Sequence, residues 1–318
     1  MARKESFTER KVEVKDVEGY HHGQYEKKRL FGSDRPMDAN EDYTLAKDGS
    51  VLPMIGIEWE TQNWGITSQK IYANVLHHVV FANFHYDLWK IERDGSLDQH
   101  GCTSSAECIS QPMSKAFIRN NYRNFKAMWK WAKELGISCT KTGDCGMHVH
   151  IANTCFGREK KTIYEAIRKF VYIINKHYDM MVYVFHRNPN AIGYCPVEWE
   201  FTNMETVKGL DFERDRFYDD HHTCVNLGHI IAHNNVELRL VGGQKDYGCF
   251  RNTMECVFHI VDTVKHISWK DCDDIVKIFS GCNQYVYDRL CTLVYQANKI
   301  TLSQLEKIRE TVKTENLL

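Results

Sequence analysis

Two hydrophobic periods take turns along the chain. Between Pro53 and about Ile151, short stretches alternate apolar and polar residues, as strands with one buried face do, around a single segment of helical period. In that segment Phe117, Tyr122, Phe125, Met128, Trp129, Ala132 and Leu135 recur at helical spacing, Ser114 stands where an N-cap belongs and Gly136 where a helix stops. A second stripe of Ile163, Ile167, Phe170, Val171, Ile174, Tyr178, Met181 and Phe185 predicts one long helix over 161–185. After Asn188-Pro189-Asn190 and Gly193, the pattern predicts a hairpin in which 224–232 feeds through Asn234-Asn235 into 236–241. The stretch 249–311 reads as several helices. With no internal repeat or low-complexity tract, the expected fold class is α+β: one curved, mostly antiparallel sheet with helices packed on one side.

Residues 1–46 are rich in charge, poor in aliphatic side chains and without a clear period, which predicts a flexible arm. Order is expected to begin near Leu52. The expected organisation is the arm 1–46, a catalytic domain over 47–248, and a C-terminal helical region over 249–318 packed on that domain.

Composition narrows the function classes. A chain of 318 residues with 43% hydrophobic content has ample material for a core, and a formal charge of -1 gives no whole-protein attraction to nucleic acid or to an anionic membrane. The most apolar stretch, 172–185, is interrupted by Lys176, His177 and Asp179, so no membrane span is expected. The first residues contain no apolar signal segment, and the expected address is the cytoplasm, including that of a host cell for a virus-encoded chain. Twelve cysteines without a Cys-x-x-Cys pair read as reduced, mostly buried thiols rather than a disulfide framework or a zinc ribbon.

Four stretches carry candidate chemistry. In Gly56-Ile57-Glu58-Trp59-Glu60, alternation puts both carboxylates on one strand face, a pair able to hold a divalent ion, although for such a pair taken alone a solvated face is the common outcome. In Gly146-Met147-His148-Val149-His150, two imidazoles share a face after a glycine that permits close backbone approach. In Val236-Glu237-Leu238-Arg239, an acid and an arginine share a face, which suits a phosphate anhydride held by a metal and a guanidinium fork, or a cross-strand salt bridge. Glu107 lies in the strand-like Ser104-Ser105-Ala106-Glu107-Cys108-Ile109-Ser110, after the Asp94-Gly95-Ser96 turn.

These motifs, in this order over residues 54–245, resemble the phage and fungal amidoligases of the glutamine synthetase superfamily. The resemblance implies a glutamine synthetase-like sheet and an ATP-dependent carboxylate–amine ligase using Mg²⁺ or Mn²⁺. It implies that Glu58, His148 and Glu237 surround one metal, that Glu60 and Glu107 hold a second, and that His150 lies near nucleotide or substrate. Arg239 would stabilise the transferring phosphoryl group, and Arg187, in Phe185-His186-Arg187-Asn188-Pro189, would be a further phosphate or carboxylate contact. The pattern departs from glutamine synthetases in two ways. No acid follows soon after Glu107, and no room precedes Pro53 for the N-terminal domain that completes their ring, so a monomer or small oligomer is expected.

The substrates expected are carboxylates and amines of small molecules, peptides or protein side chains. Without a Walker loop, ATP would be held by metals and arginines on a sheet. Two other readings stay open: a zinc hydrolase using Cys145, His148 and His150, and an inactive binding protein of the same fold. Trp64, Tyr194 and Trp199 are read as core or loop packing, with site lining as the alternative.

Overall fold

The computed structural model describes residues 53–81, 84, 88–92, 97, 102–139, 145–190, 192–215, 217 and 222–313. The N-terminal arm expected over 1–46 and the Asp94-Gly95-Ser96 turn lie outside them. The chain divides into two compact units, the first holding Gly56–Met147 and Gly243–Tyr247, the second holding His148–Gly242 and Gly248–Leu318 together with Leu52–Ile55. Helices accompany antiparallel strands in both, so the fold is of the mixed α+β kind.

The first unit is built on β1 (Met54–Asn63), α1 (Gln69–Phe81), β2 (Trp89–Glu92), β3 (Ser104–Ser110), the two-residue β4 (Met113–Ser114), α2 (Lys115–Asn120) and α3 (Tyr122–Glu134). β3 pairs antiparallel with β1 on one edge and β2 on the other, with Trp59 opposite Cys108 and Cys108 opposite Ile91. Those residues form the apolar face. It is covered by α3, whose Phe125, Met128, Trp129 and Ala132 are buried, Trp129 stacking on Trp59 at 4.8 Å between ring centroids. Ser114 caps as expected, accepting the Phe117 amide at 3.0 Å, and Gly136 ends the segment in the left-handed region at φ +69°. The expected single helix is broken at Asn121, whose backbone leaves helical geometry between α2 and α3.

The second unit contains most of β5 (Met147–Ala152), then α4 (Lys160–Lys176), α5 (Tyr178–Val184), α6 (Met204–Lys208), β6 (Val225–Asn226), α7 (His229–Ala232), β7 (Asn235–Leu238), α8 (Tyr247–Val264), α9 (Ile275–Phe279), α10 (Gln284–Gln296) and α11 (Leu302–Arg309). β7 pairs antiparallel with both β5 and β6. The predicted hairpin is thus present, but its first arm is shorter than expected. Residues 229–232 form α7, and Asn234, at φ 55°, turns the chain into β7. The long helix expected over 161–185 is two helices that meet at His177, which leaves helical geometry at φ -104° and ψ 26° and places its Nε2 2.9 Å from the Cys272 carbonyl.

All twelve cysteines are free and ten are buried, as the sequence predicted. Burial pushes the thiols of Cys155 and Cys282 up to about 12, which keeps them protonated and inert. Among the described residues no helix is long and apolar enough to cross a membrane.

His177 yields a pH prediction. Burial lowers its pKa below the usual 6.5, outweighing the opposite pull of the Cys272 carbonyl. The unfolded chain therefore binds the proton more readily. Stability from the neutral ring is complete above the unfolded pKa of about 6.5 and declines as pH falls from there towards the folded value. Urea denaturation between pH 7 and pH 5 should show a shallower decline in midpoint for His177→Gln than for the parent chain; equal slopes would remove His177 from the acid sensitivity.

Candidate active site

The carboxylate face of the first unit follows from strand period and register. With Ile57 and Trp59 turned to the apolar side, Glu58 and Glu60 occupy the other side of β1. In the β1–β3 ladder Glu60 is directly opposite Glu107, and in the β2–β3 ladder Glu107 is directly opposite Glu92. Directly paired residues project to the same face, so three acids from three adjacent strands stand in one row, with Glu58 two residues along β1.

None is solvated. Glu58 is 1% exposed, Glu107 3% and Glu60 6%, which overturns the solvated face that alternation alone permits. Glu60 accepts the Gly146 amide, and the Glu60 amide donates back to the Gly146 carbonyl at 3.2 Å.

The second unit carries its own set. His148 and His150 share one face of β5, and His150 is directly opposite Glu237 on β7. The Glu237 carboxylate is fully buried, with one oxygen accepting from Asn226 Nδ2 at 2.9 Å and the other paired with Arg239 Nη1. His148 Nδ1 lies 3.4 Å from that second oxygen and 3.5 Å from Arg239 Nη1. His150 Nδ1 is 3.3 Å from Asn235 Oδ1, whose amide nitrogen is turned to the His233 carbonyl. This contact orients the His150 ring from the neighbouring strand. The His229 ring stacks on His150 at 5.7 Å, and His233 stands edge-on to His229 at 5.0 Å.

Arg187 belongs to the same unit and is buried, not the solvated loop arginine that its flanking residues allow. It follows α5 in a left-handed turn, with His186 at φ 57°. The His186 amide donates to the Tyr183 carbonyl and the Arg187 amide to the Val182 carbonyl at 2.8 Å, the paired bonds of a Schellman ending. Its Nη1 reaches the Val241 carbonyl at 3.4 Å, two residues beyond Arg239 on the same segment. Gly242 allows this approach: a Cβ there would overlap the His186 carbonyl oxygen and lie 2.6 Å from Arg187 Cα.

Cys145 is also buried, but its thiol is grouped with Cys108 and Cys139 around Tyr72, where these sulfurs help to raise the tyrosine pKa behind the larger effect of burial. Cys108 belongs to the apolar side of the first unit. Trp199 is 78% exposed and Tyr194 38%, so neither is core packing, and Trp64 is half-buried.

Sequence pattern alone missed Glu92, Asn226, Asn235 and His229. Alternation of Trp89 and Ile91 with Lys90 and Glu92 is the only local signal for Glu92, and four residues are too few to distinguish it. The others act on Glu237 or His150 from neighbouring elements and carry no motif.

In chemical terms, the carboxylates of the first unit are hard oxygen ligands, and the second unit joins the Glu237 carboxylate with borderline imidazole nitrogens, so each set could hold a divalent ion. Arg239 and Arg187 supply fixed positive charge for an anionic ligand.

Gly242→Ala should displace the Arg187 turn and cost about 2 kcal/mol, within the usual range for overpacking. Thermal denaturation should show a lowered Tm; an unchanged Tm would mean the turn tolerates the added methyl.

No protein-family model matches the chain, and no curated protein matches it by sequence.

Proposed function

We propose that the protein is an ATP-dependent carboxylate–amine ligase of the glutamine synthetase-like type, acting with Mg²⁺ or Mn²⁺. The observation that carries this reading is the opposition of Glu60 and Glu107 in register, both buried. Directly opposed like charges destabilise a sheet, more so away from water, and a divalent cation relieves the repulsion. The second support is the chemistry of the other unit, where buried Glu237 stands with two histidines and an arginine. Glu58 and Glu107 in the first unit, and His148, His150 and Glu237 in the second, each offer a ligand atom from a buried side chain.

In the proposed assignment Glu58, His148 and Glu237 hold one metal, and Glu60 and Glu107 hold the second. When bound, the ions offset the charge of the ATP phosphates and of the approaching carboxylate. Arg239 and Arg187 contribute positive charge at the transferring phosphoryl group and its neighbours. Asn226 holds the Glu237 carboxylate in place, and Asn235 orients the His150 ring near nucleotide or substrate.

The reaction is two displacements. A carboxylate oxygen of the first substrate attacks the terminal phosphorus of ATP, forming an acyl phosphate and releasing ADP. The amine nitrogen then attacks the acyl carbon, phosphate leaves with the C–O electron pair, and the amine proton is released. The proposed substrates are the carboxylates and amines of small molecules, peptides or protein side chains.

Glu107→Gln separates a metal-holding carboxylate from a structural one. Removal of one opposed charge should raise the Tm of the metal-free protein and weaken Mn²⁺ binding at least tenfold in calorimetric titration; a lowered Tm with unchanged Mn²⁺ affinity would contradict the assignment. In a second titration, Glu237→Gln should lose most Mn²⁺-dependent ATP affinity while remaining folded, and undiminished binding would remove Glu237 from the site.

A further inference from the structure

The C-terminal helices reach the end of α5, next to the Arg187 turn, through one buried arginine. α10 is fixed at its start by Asn283, which accepts the Val286 amide as N-cap and donates through Nδ2 to buried Glu255 of α8 at 2.7 Å. Two turns along, Arg289 points into the second unit and is 6% exposed. Its Nε donates to the Val184 carbonyl at 3.2 Å, its Nη2 to the Tyr183 carbonyl, and its Nη1 to Thr292 Oγ1 at 3.0 Å. Thr292 in turn donates to the Arg289 carbonyl at 2.7 Å.

The two backbone acceptors are the last carbonyls of α5. A helix end leaves such carbonyls without intrahelical partners, and a cation there also complements the helix dipole. Tyr183 is moreover the residue whose carbonyl accepts the His186 amide in the left-handed turn that presents Arg187. One guanidinium fork therefore grips one of the two carbonyls on which that turn is built, that of Tyr183, together with the adjacent Val184 carbonyl. From the other side, Gly242 packs on His186 and its amide donates to the Phe185 carbonyl at 3.0 Å.

We propose that Arg289 is a positioning residue for Arg187: by fixing the C-terminal carbonyls of α5, it sets where the Arg187 guanidinium stands. The consequence for function rests on the ligase reading, in which Arg187 contacts phosphate or carboxylate. Lysine cannot replace Arg289, since one ammonium cannot span two carbonyls and a hydroxyl in the planar geometry of the fork.

The test uses the full chain. The side-chain Nε–Hε resonance of Arg187, assigned by its loss in Arg187→Lys, is followed by NMR in Arg289→Lys, alongside calorimetric titration of ATP with Mn²⁺. The expected result is a shifted or broadened Arg187 resonance in a spectrum that otherwise keeps its dispersion. ATP affinity should fall about tenfold, the scale of one charge-assisted hydrogen bond, and Arg187→Ala combined with Arg289→Lys should bind no more weakly than Arg187→Ala alone. Thr292→Val, which removes one anchor and keeps the arginine, should shift the same resonance less and serves where Arg289→Lys does not fold. An Arg187 resonance unmoved in a folded variant overturns the proposal. A moved resonance in a chain that binds no ATP, parent included, upholds the positioning and overturns the nucleotide reading instead.

Discussion

The two-residue period of the strands is the constraint on which the rest depends. It obliges β1 to turn Trp59 towards the helix layer and Glu58 and Glu60 away from it, and obliges β5 and β7 to turn His148, His150 and Glu237 to one side. A one-residue slip of register would exchange the faces, burying acids against Trp129 and exposing the tryptophan. Because the apolar faces are close-packed, the register is firmly specified, and the cost of burying charge on the other face is met by packing elsewhere in each unit. In the proposed reading, a divalent cation would offset the direct opposition of the acids in β1 and β3.

The arginines obey a different logic. Arg239 is placed by strand alternation beside Glu237, whereas Arg187 is placed by a turn at the end of α5 that has no strand to support it. A left-handed His186 costs conformational energy, so the turn persists only because surrounding groups determine it: the Schellman bonds, the bare backbone of Gly242 and the grip of Arg289 on the helix carbonyls. The C-terminal helices thereby acquire a role beyond covering apolar surface.

Much of this was legible in the sequence where the determinant is local. The paired faces of Gly-Ile-Glu-Trp-Glu, Met-His-Val-His and Val-Glu-Leu-Arg follow from alternation, and the Ser114 cap and Gly136 stop from backbone preference. Long-range determinants were not legible. The break at His177 is invisible in the apolar stripe, which continues through it, and is accompanied by a bond to a carbonyl ninety-five residues away. The α7 turn occupies an apolar run too short to show which period it follows. Glu92 becomes a neighbour of Glu107 only through the β2–β3 register, and Arg289 resembles any helical arginine until its partners, more than a hundred residues earlier, are known.

The most direct test of the central claim is electron–nuclear spectroscopy of Mn²⁺ bound to the protein together with ATP, because one spectrum reports both the protein and the nucleotide ligands of the ion. The account predicts a nitrogen coupling from a histidine imidazole, lost in His148→Gln, alongside phosphorus couplings from ATP. Mn²⁺ that shows phosphorus couplings without any nitrogen coupling, or no bound Mn²⁺ in the presence of ATP, would contradict it.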